Sequence, residues 1–502
     1  MILPFTSFLK GENSNISPLI QSPEQPSVLN GVTNSFKIGA LTKDTGYSQI
    51  GSQIQANKSI GGLYHFIQNS TTEKMLATVD DSTSDDTQLF YRANGAGAWT
   101  EITAAETAWA NVAGAKVEMQ GFIGYCFFVG YSETDGFLPV GSLTGTTFST
   151  STNVTSMPQA KYIVKYDSRL YLLNVKYGGT QYPTRIVASG VPVAGAISWD
   201  TSGSPTDSNG GFFDVDFDLE ITGGVAHMGK LIVFTNDNAF VYDRTNFKEA
   251  WSYGCTNHRT IKKSGSYLLW ANNDGVFLST GGQPLNIGGE IIDFIRNGNP
   301  KDFFAEIVDE VYHLYVGTVT VNGVTYTNCV KKFNIATSSW EGREYYNILT
   351  AFGRYRDSNF KKRLYMGDSL GNVWDKAKYT DSTLVSGDAQ ATAGTGGQPI
   401  AVNFELAPFV IDISNQERIK KLIAYAERAQ GLVLKARVID ENSQVLMPYE
   451  DIGKLESFIT ELDVEVKKGV IFQIAGAEIS TSPYFSFYGF ALDVEKFSKI
   501  SK

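Results

Sequence analysis

The sequence predicts an all-β protein. It reads as an irregular β-propeller of roughly six to eight blades, seven the central count, with an N-terminal extended arm and a C-terminal β-sandwich. Three observations carry this. Charged residues are only 19% of the 502 positions, while 31 Phe, 25 Tyr, 7 Trp and 49 Gly crowd the chain, a composition of short strands and tight turns. An apolar strand, a polar turn and a second apolar or aromatic strand recur along the middle of the chain. No apolar run approaches the ~18 residues of a membrane-spanning helix.

The chain divides in order. Residues 1–54 are rich in Ser, Pro, Asn and Gly, and Pro18, Pro23 and Pro26 block regular helix, so an extended arm running into a first strand is expected. The propeller is expected over 55–380. Its clearest repeats begin at Lys230, Tyr267 and Arg363, with looser copies near Met75, Cys126, Leu170 and His313. The markers Leu76, Cys126, Leu170, Leu231, Leu268, Leu314 and Leu364 fall 37–61 residues apart, around the ~40–50 residues of a four-stranded blade. Asn273-Asp274-Gly275 and Leu370-Gly371-Asn372 supply the positive-φ residues of hairpin turns. Trp99, Trp251 and Trp340 each follow a strand and a turn. A Ser/Thr/Gly/Ala-rich linker is expected over 381–400. Over 401–502, Val402–Ile411, Leu432–Ile439, Val470–Ile474 and Tyr484–Val494 read as strands of a small sandwich. Glu417–Gln430 fits a helical stripe through Ile419, Leu422, Ile423 and Ala426, but its β neighbours favour strand.

Charge and cysteine set the context. Lys and Arg number 42 against 52 Asp and Glu, a net charge of −10, which argues against a protein dedicated to gripping phosphate backbones. Cys126, Cys255 and Cys329 are odd in number and widely spaced, so no disulfide framework is implied. The start, Met1-Ile2-Leu3-Pro4-Phe5, lacks the pattern of a signal peptide. A soluble protein made in a reducing cytoplasm, with no stable membrane insertion, is the expectation.

The candidate chemistry is thin. Gly367-Asp368-Ser369-Leu370-Gly371 matches a nucleophile elbow, but such an elbow needs a helix after it and a His downstream. Here a strand-like Asn372-Val373-Trp374 follows, and no His lies beyond His313. Ser369 therefore reads as a turn serine. Asp214, Asp216, Asp218 and Glu220 alternate in Phe213–Glu220 and would share one face of a strand. They are the only weak metal candidates, for Ca²⁺. Carboxylates two apart on a strand sit roughly 6.5–7 Å from each other, so a solvated or subunit-contact face is the better reading. Cys255 and His258 form a lone Cys-x-x-His where a structural zinc needs about four ligands. Lys331-Lys332, Lys361-Lys362-Arg363 and Lys420-Lys421 read as solvated edges guarding strands. With four His and no convergent acid–base cluster, no catalytic residue, cofactor or enzyme activity is expected.

An ordered series of short strings goes further. It runs from Asn30-Gly31 through Gly39–Gly51, Ile60–Phe66, Trp99–Ile102, Pro158–Tyr162, Ser168–Leu172, Pro183–Ser189 and Trp199 to Ile221–Gly224. It continues with Leu231–Phe234, Gly254–Thr256, Gly275–Phe277, Trp340 and Tyr365–Gly371. In order and spacing it resembles the tail-hub, head-closure or "DNA stabilisation" β-propeller virion proteins of short-tailed bacteriophages. The resemblance implies a structural tail protein of the virion, made in the host bacterial cytoplasm and placed in the tail or neck. It implies a homo-oligomeric ring, commonly of six copies, joining portal and adaptor proteins to tail-fibre or tail-tip proteins. Genomic DNA would pass through an acidic lumen during ejection. The competing expectation is a glycan-binding or glycan-cleaving propeller of a host-attachment apparatus, for which the aromatic surplus would serve; a Kelch-like interaction propeller is a third.

Overall fold

A computed structural model of the chain describes residues 2–6, 8, 12–13, 25–30, 32–33, 40–44, 46–81, 86–93, 97–206, 209–215, 219–242, 247–345, 347–357, 361–376, 400–410, 417–427, 431–439, 444–464, 471–480 and 485–496. Residues 381–399 of the expected linker 381–400 lie outside them, as do Asp216 and Asp218. The fold is all-β, built from many largely antiparallel sheets. The two α-helices among the described residues, Thr103–Trp109 and Ile292–Asn297, are short. No helix among them is long and apolar enough to cross a membrane.

Turn chemistry builds the sheets. Ile123-Gly124, Asp167-Ser168, Met228-Gly229 and Asp309-Glu310 each hold both residues at positive φ. Each links two strands whose flanking residues pair directly, as Tyr166 does with Arg169. Two-residue turns of this hand match the right-handed twist of the strands they join. The first sheet holds Ile60–Ile67, Glu73–Asp81, Asp86–Ala93 and Thr100–Glu101. The second opens on Lys116–Phe122 and Tyr125–Ser132, and the third on Gln159–Tyr166 and Arg169–Tyr177. The fourth opens on Gly223–His227 and Lys230–Phe234, and the fifth on Lys262–Ser264 and Tyr267–Asn272. The sixth opens on Phe304–Val308 and Val311–Val321, and the seventh on Leu349–Arg356 and Lys362–Asp368. The seven repeat markers fall one to a sheet, each on its second strand, and all are buried.

Each sheet packs its apolar face on the next. Leu76 and Leu89 of the first meet Val117 and Phe128 of the second. Phe127 meets Leu172, Leu173 meets Val233, and Phe234 meets Trp270 in the cores that follow. Leu269 shares a core with Leu314, and Phe304 with Met366. A last core brings Ala351, Tyr365 and Val373 of the seventh sheet against Ile60, Met75 and Val79 of the first. Glycine permits that last approach: a Cβ on Gly367 would lie 2.5 Å from the Cβ of Ile60, and one on Gly353 2.6 Å from that of Leu63. Each well-packed side chain in such a core contributes ~1.5–3 kcal/mol of burial.

The 1–54 segment is shared among three sheets. Tyr47–Gln49 supplies the outer strand of the seventh sheet, beside Val373–Lys376. Pro26–Asn30 lies between Ser339–Glu344 of the sixth sheet and Ile400–Leu406. It thereby merges the sixth sheet with Ile471–Ser480, Val433–Ile439 and Val445–Lys454 into one ten-stranded sheet. Ile2–Thr6, Val32–Thr33 and Leu41–Lys43 join Glu417–Glu427, Ile459–Asp463 and Ser486–Lys496 in the facing six-stranded sheet. The two sheets enclose Leu29, Phe404, Leu422, Phe472, Phe487 and Leu492. Glu417–Glu427 is strand: in antiparallel register with Ser486–Lys496 it buries Ile419, Leu422 and Ala424 against the facing sheet.

Candidate functional site: an axial basin

The first strands of most successive sheets lie side by side, and between those of the first, second, fifth, sixth and seventh sheets the chain leaves a cavity of ≈ 530 Å³. Backbones crowd here, and small residues allow it: a Cβ on Gly62 would sit 3.0 Å from the carbonyl oxygen of Val117. A cavity of this size suits a small molecule.

The polar lining is unevenly compensated. Glu118 lies 3.6 Å from His258, whose ring packs 4.8 Å from Tyr162. Burial pushes the His258 imidazole below its ordinary value, against the pull of Glu118. Arg259 donates from Nη2 to the Thr350 carbonyl at 2.7 Å and lies 4.9 Å over the Phe304 ring. Burial lowers its pKa too, with Glu118 opposing. Lys262 sits 3.7 Å from Glu306. His65 bonds Glu73 at 2.9 Å and meets the Tyr355 ring edge-on at 4.5 Å; burial lowers its pKa against Glu73, and Arg356 and Arg354 lower it further.

Arg354, Arg356 and Lys362 complete the wall. Arg354 and Arg356 alternate onto one face of Leu349–Arg356, and Arg356 stands directly opposite Lys362 in the hairpin register. None of the three has a carboxylate partner among the described residues. The same hairpin treats its neighbouring cation differently: Arg363 pairs with Asp357 at 3.1 Å and Asp375 at 3.0 Å.

The sequence-derived candidates lie elsewhere. The strand expected through Phe213–Glu220 covers Gly211–Asp214 and stops there. Asp214 is held by the Arg185 guanidinium, and Glu220 accepts from Lys161 at 2.7 Å and Asn174 at 2.6 Å. Asp214 and Glu220 are thus spent on separate cations rather than gathered on one strand face. Among the described residues no group of three or more His, Cys, Asp and Glu is placed to hold a metal ion. Ser369 is in the turn after Lys362–Asp368. Its neighbour Asp368 organises that turn, accepting from the backbone N–H of Leu370 and Asn372, the Asn347 and Asn372 amides and the Trp374 indole. Cys255 is buried, its thiol pushed up to about 12 by burial, and its Sγ lies 3.2 Å from the Asn257 carbonyl.

Lys331 and Lys332 correct the sequence reading. They were expected as solvated edges, yet both are buried. Lys331 meets Glu12 at 2.8 Å; Lys332 meets Asp44 and Glu341, each at 3.1 Å. Arg343 and Lys376 also reach Asp44, at 3.4 and 3.0 Å. Burial pushes the Asp44 carboxyl up, but Lys332, Lys376 and Arg343 outweigh it and hold it well below its ordinary value. Lys421 is exposed, as expected, and pairs with Glu461 at 3.0 Å, but it guards no edge: its strand Glu417–Glu427 lies between Ile459–Asp463 and Ser486–Lys496.

Sequence reasoning passed over Arg354 and Arg356 and read Lys362 only as part of a solvated edge. The signal was present in Arg354-Tyr-Arg356 and Lys361-Lys-Arg363 flanking one short turn: alternation along the strand and pairing across the hairpin place Arg354, Arg356 and Lys362 on a common face.

No protein-family model matches the chain, and no curated protein matches it. Solved structures similar to it include the extracellular domain of a hybrid two component system from B. thetaiotaomicron, at 10% identity and TM-score 0.42 over 67% of this chain. The chain covers 40% of that domain. The β-propeller domain of the Trilobed protease from Pyrococcus furiosus is similar at 10% identity and TM-score 0.35, over 64% of this chain and 99% of that one. A chain of the nidogen/laminin complex is similar at 12% identity and TM-score 0.30, over 54% and 94%.

Proposed function

We propose that this chain is a structural subunit: a seven-bladed β-propeller fused to a β-sandwich, working in a bacteriophage tail or neck rather than as an enzyme. The observation that carries the reading is the strand Pro26–Asn30, which makes the sixth sheet and half of the sandwich one continuous sheet. A joint made of backbone hydrogen bonds transmits displacement without a hinge, as a scaffold needs. The buried charges around Asp44 lock the same joint by tying the N-terminal segment to the sixth and seventh sheets. The seven sheets and the core between the seventh and first support the blade count.

In this reading the chain assembles into a ring of roughly six copies by one repeated heterologous contact. Portal or adaptor proteins lie on one side and tail-fibre or tail-tip proteins on the other. The genome passes through the lumen of the ring of chains, since the axial basin within one chain is of small-molecule size. A net charge of −10 lets phosphate slide past the wall instead of binding to it. The test is electron microscopy of the purified protein and of virions that contain it. Rings of fixed symmetry are expected. Single chains in the virion, or specific glycan binding on a saccharide array without rings, would sink the reading.

A further inference from the structure

The basin at the axis has a chemistry that a purely structural core does not require. Like charges placed directly across two strands destabilise the pair, yet Arg356 faces Lys362 across the seventh sheet, with Arg354 beside them. The chain has the means to neutralise such a cluster, as it does one residue away, where Asp357 and Asp375 hold Arg363. It does so again at Lys331, Lys332, Arg343 and Lys376 with Glu12, Asp44 and Glu341. At the axis the carboxylates present, Glu118 and Glu306, are directed at His258 and Lys262. Arg354, Arg356 and Lys362 remain, all on the wall of one ≈ 530 Å³ cavity.

We propose that the axial basin is a binding site for a small oligophosphate, with Arg354, Arg356 and Lys362 as its anion-holding side chains. The Cα atoms of Arg354 and Arg356 lie roughly 6.5–7 Å apart on one strand face, and their long side chains can reach the two ends of a short oligophosphate. Each guanidinium presents paired N–H donors that match phosphate oxygens, and Lys362 adds a point charge. The ligand is taken up from solution and held noncovalently; no bond is made or broken. This site is independent of the ring assembly proposed above, and each reading can fail while the other stands.

The experiment is titration calorimetry on the full chain with inorganic tripolyphosphate, ATP and citrate as probes at matched ionic strength. Tripolyphosphate is expected to bind at least about tenfold more tightly than citrate. A nucleotide as the source predicts ATP binding at least about tenfold tighter than tripolyphosphate; comparable binding assigns free oligophosphate. Arg354→Gln and Arg356→Gln should each weaken binding about tenfold, as loss of a charge-assisted hydrogen bond does, and Lys362→Gln should weaken it as well. Lys361→Gln, outside the cavity wall, should leave it unchanged. Circular dichroism of each variant verifies its fold. Equal affinity for citrate, affinity unaltered in a folded Arg354→Gln/Arg356→Gln double variant, or absence of tripolyphosphate binding at low salt overturns the proposal.

Discussion

Lys332, Arg343 and Lys376 at the junction of the sixth and seventh sheets, and Arg354, Arg356 and Lys362 at the axis, are two groups of three cations with opposite surroundings. In the first group Lys332 and Arg343 are buried and Lys376 is half-buried, and all three converge on Asp44 at 3.0–3.4 Å. The second is exposed to the basin and converges on none of the described carboxylates. Burial explains the difference. A charge taken out of water costs several kcal/mol unless an opposite charge meets it with good geometry, so an unpaired cation at the junction would unfold it. At the axis the cations stay solvated, repulsion is screened, and the fold tolerates them. Cations that the interior must neutralise are architecture; cations left open in a concave site are available to a ligand.

The largest expected effect tests the first half of that comparison. Asp44→Asn removes the anion on which Lys332, Arg343 and Lys376 converge while keeping its shape. Destabilisation of about 3–5 kcal/mol is expected in denaturant unfolding, the cost of uncompensated buried charge. A loss under ~1 kcal/mol, the worth of an exposed pair, would show that the junction is held by its backbone alone.

A pH profile sharpens the same half. Burial drives the Lys376 ammonium down to about 7, Asp44 opposing and Lys332 and Arg343 reinforcing the fall, from an ordinary value of 10.5. Between those two pH values the unfolded chain binds a proton that the folded chain has released, so stability rises with pH across the window. The contribution is at most about 1.4 kcal/mol per pH unit. Lys376→Met abolishes it. Unfolding free energies of the two proteins measured from pH 7 to 9 should therefore diverge in slope, the variant being flatter; parallel profiles would mean that Lys376 keeps its proton when folded.

The same contrast explains what was legible in the sequence. The repeat was readable because local chemistry writes it: each marker from Leu76 to Leu364 sits on the second strand of its sheet, and those from Cys126 to Leu314 follow a turn held at positive φ. Several C-terminal strands were readable from alternation, and Glu417–Glu427 from its neighbours, whereas Val445–Lys454 and Ile459–Asp463 were not. What could not be read was long-range. Pro26–Asn30 pairs with Ile400–Leu406 across most of the chain, and nothing local in Pro-Ser-Val-Leu-Asn says so. Lys331-Lys332 looks like a solvated edge until Glu12 and Asp44 arrive from the other end of the chain to bury it. The acidic alternation from Asp214 misled for the matching reason: Arg185 and Lys161 claim Asp214 and Glu220 one at a time.

The smallest expected effect bears on the axis. If Arg354 and Arg356 are not part of the architecture, replacing both with Gln removes repulsion against Lys362 and leaves every described ion pair intact. The double variant should then be as stable as the natural chain or more stable, by roughly 0.2–1 kcal/mol at low ionic strength. Near 1 M salt, where screening acts over about 3 Å, the gain should vanish. Thermal unfolding at the two salt concentrations reads both the sign and its salt dependence. A loss of stability that persists in high salt would place Arg354 and Arg356 beside Arg343 as cations the fold requires. It would also remove the physical ground for treating the axis as a ligand site, because an arginine that the fold holds in place has no free guanidinium to offer an anion.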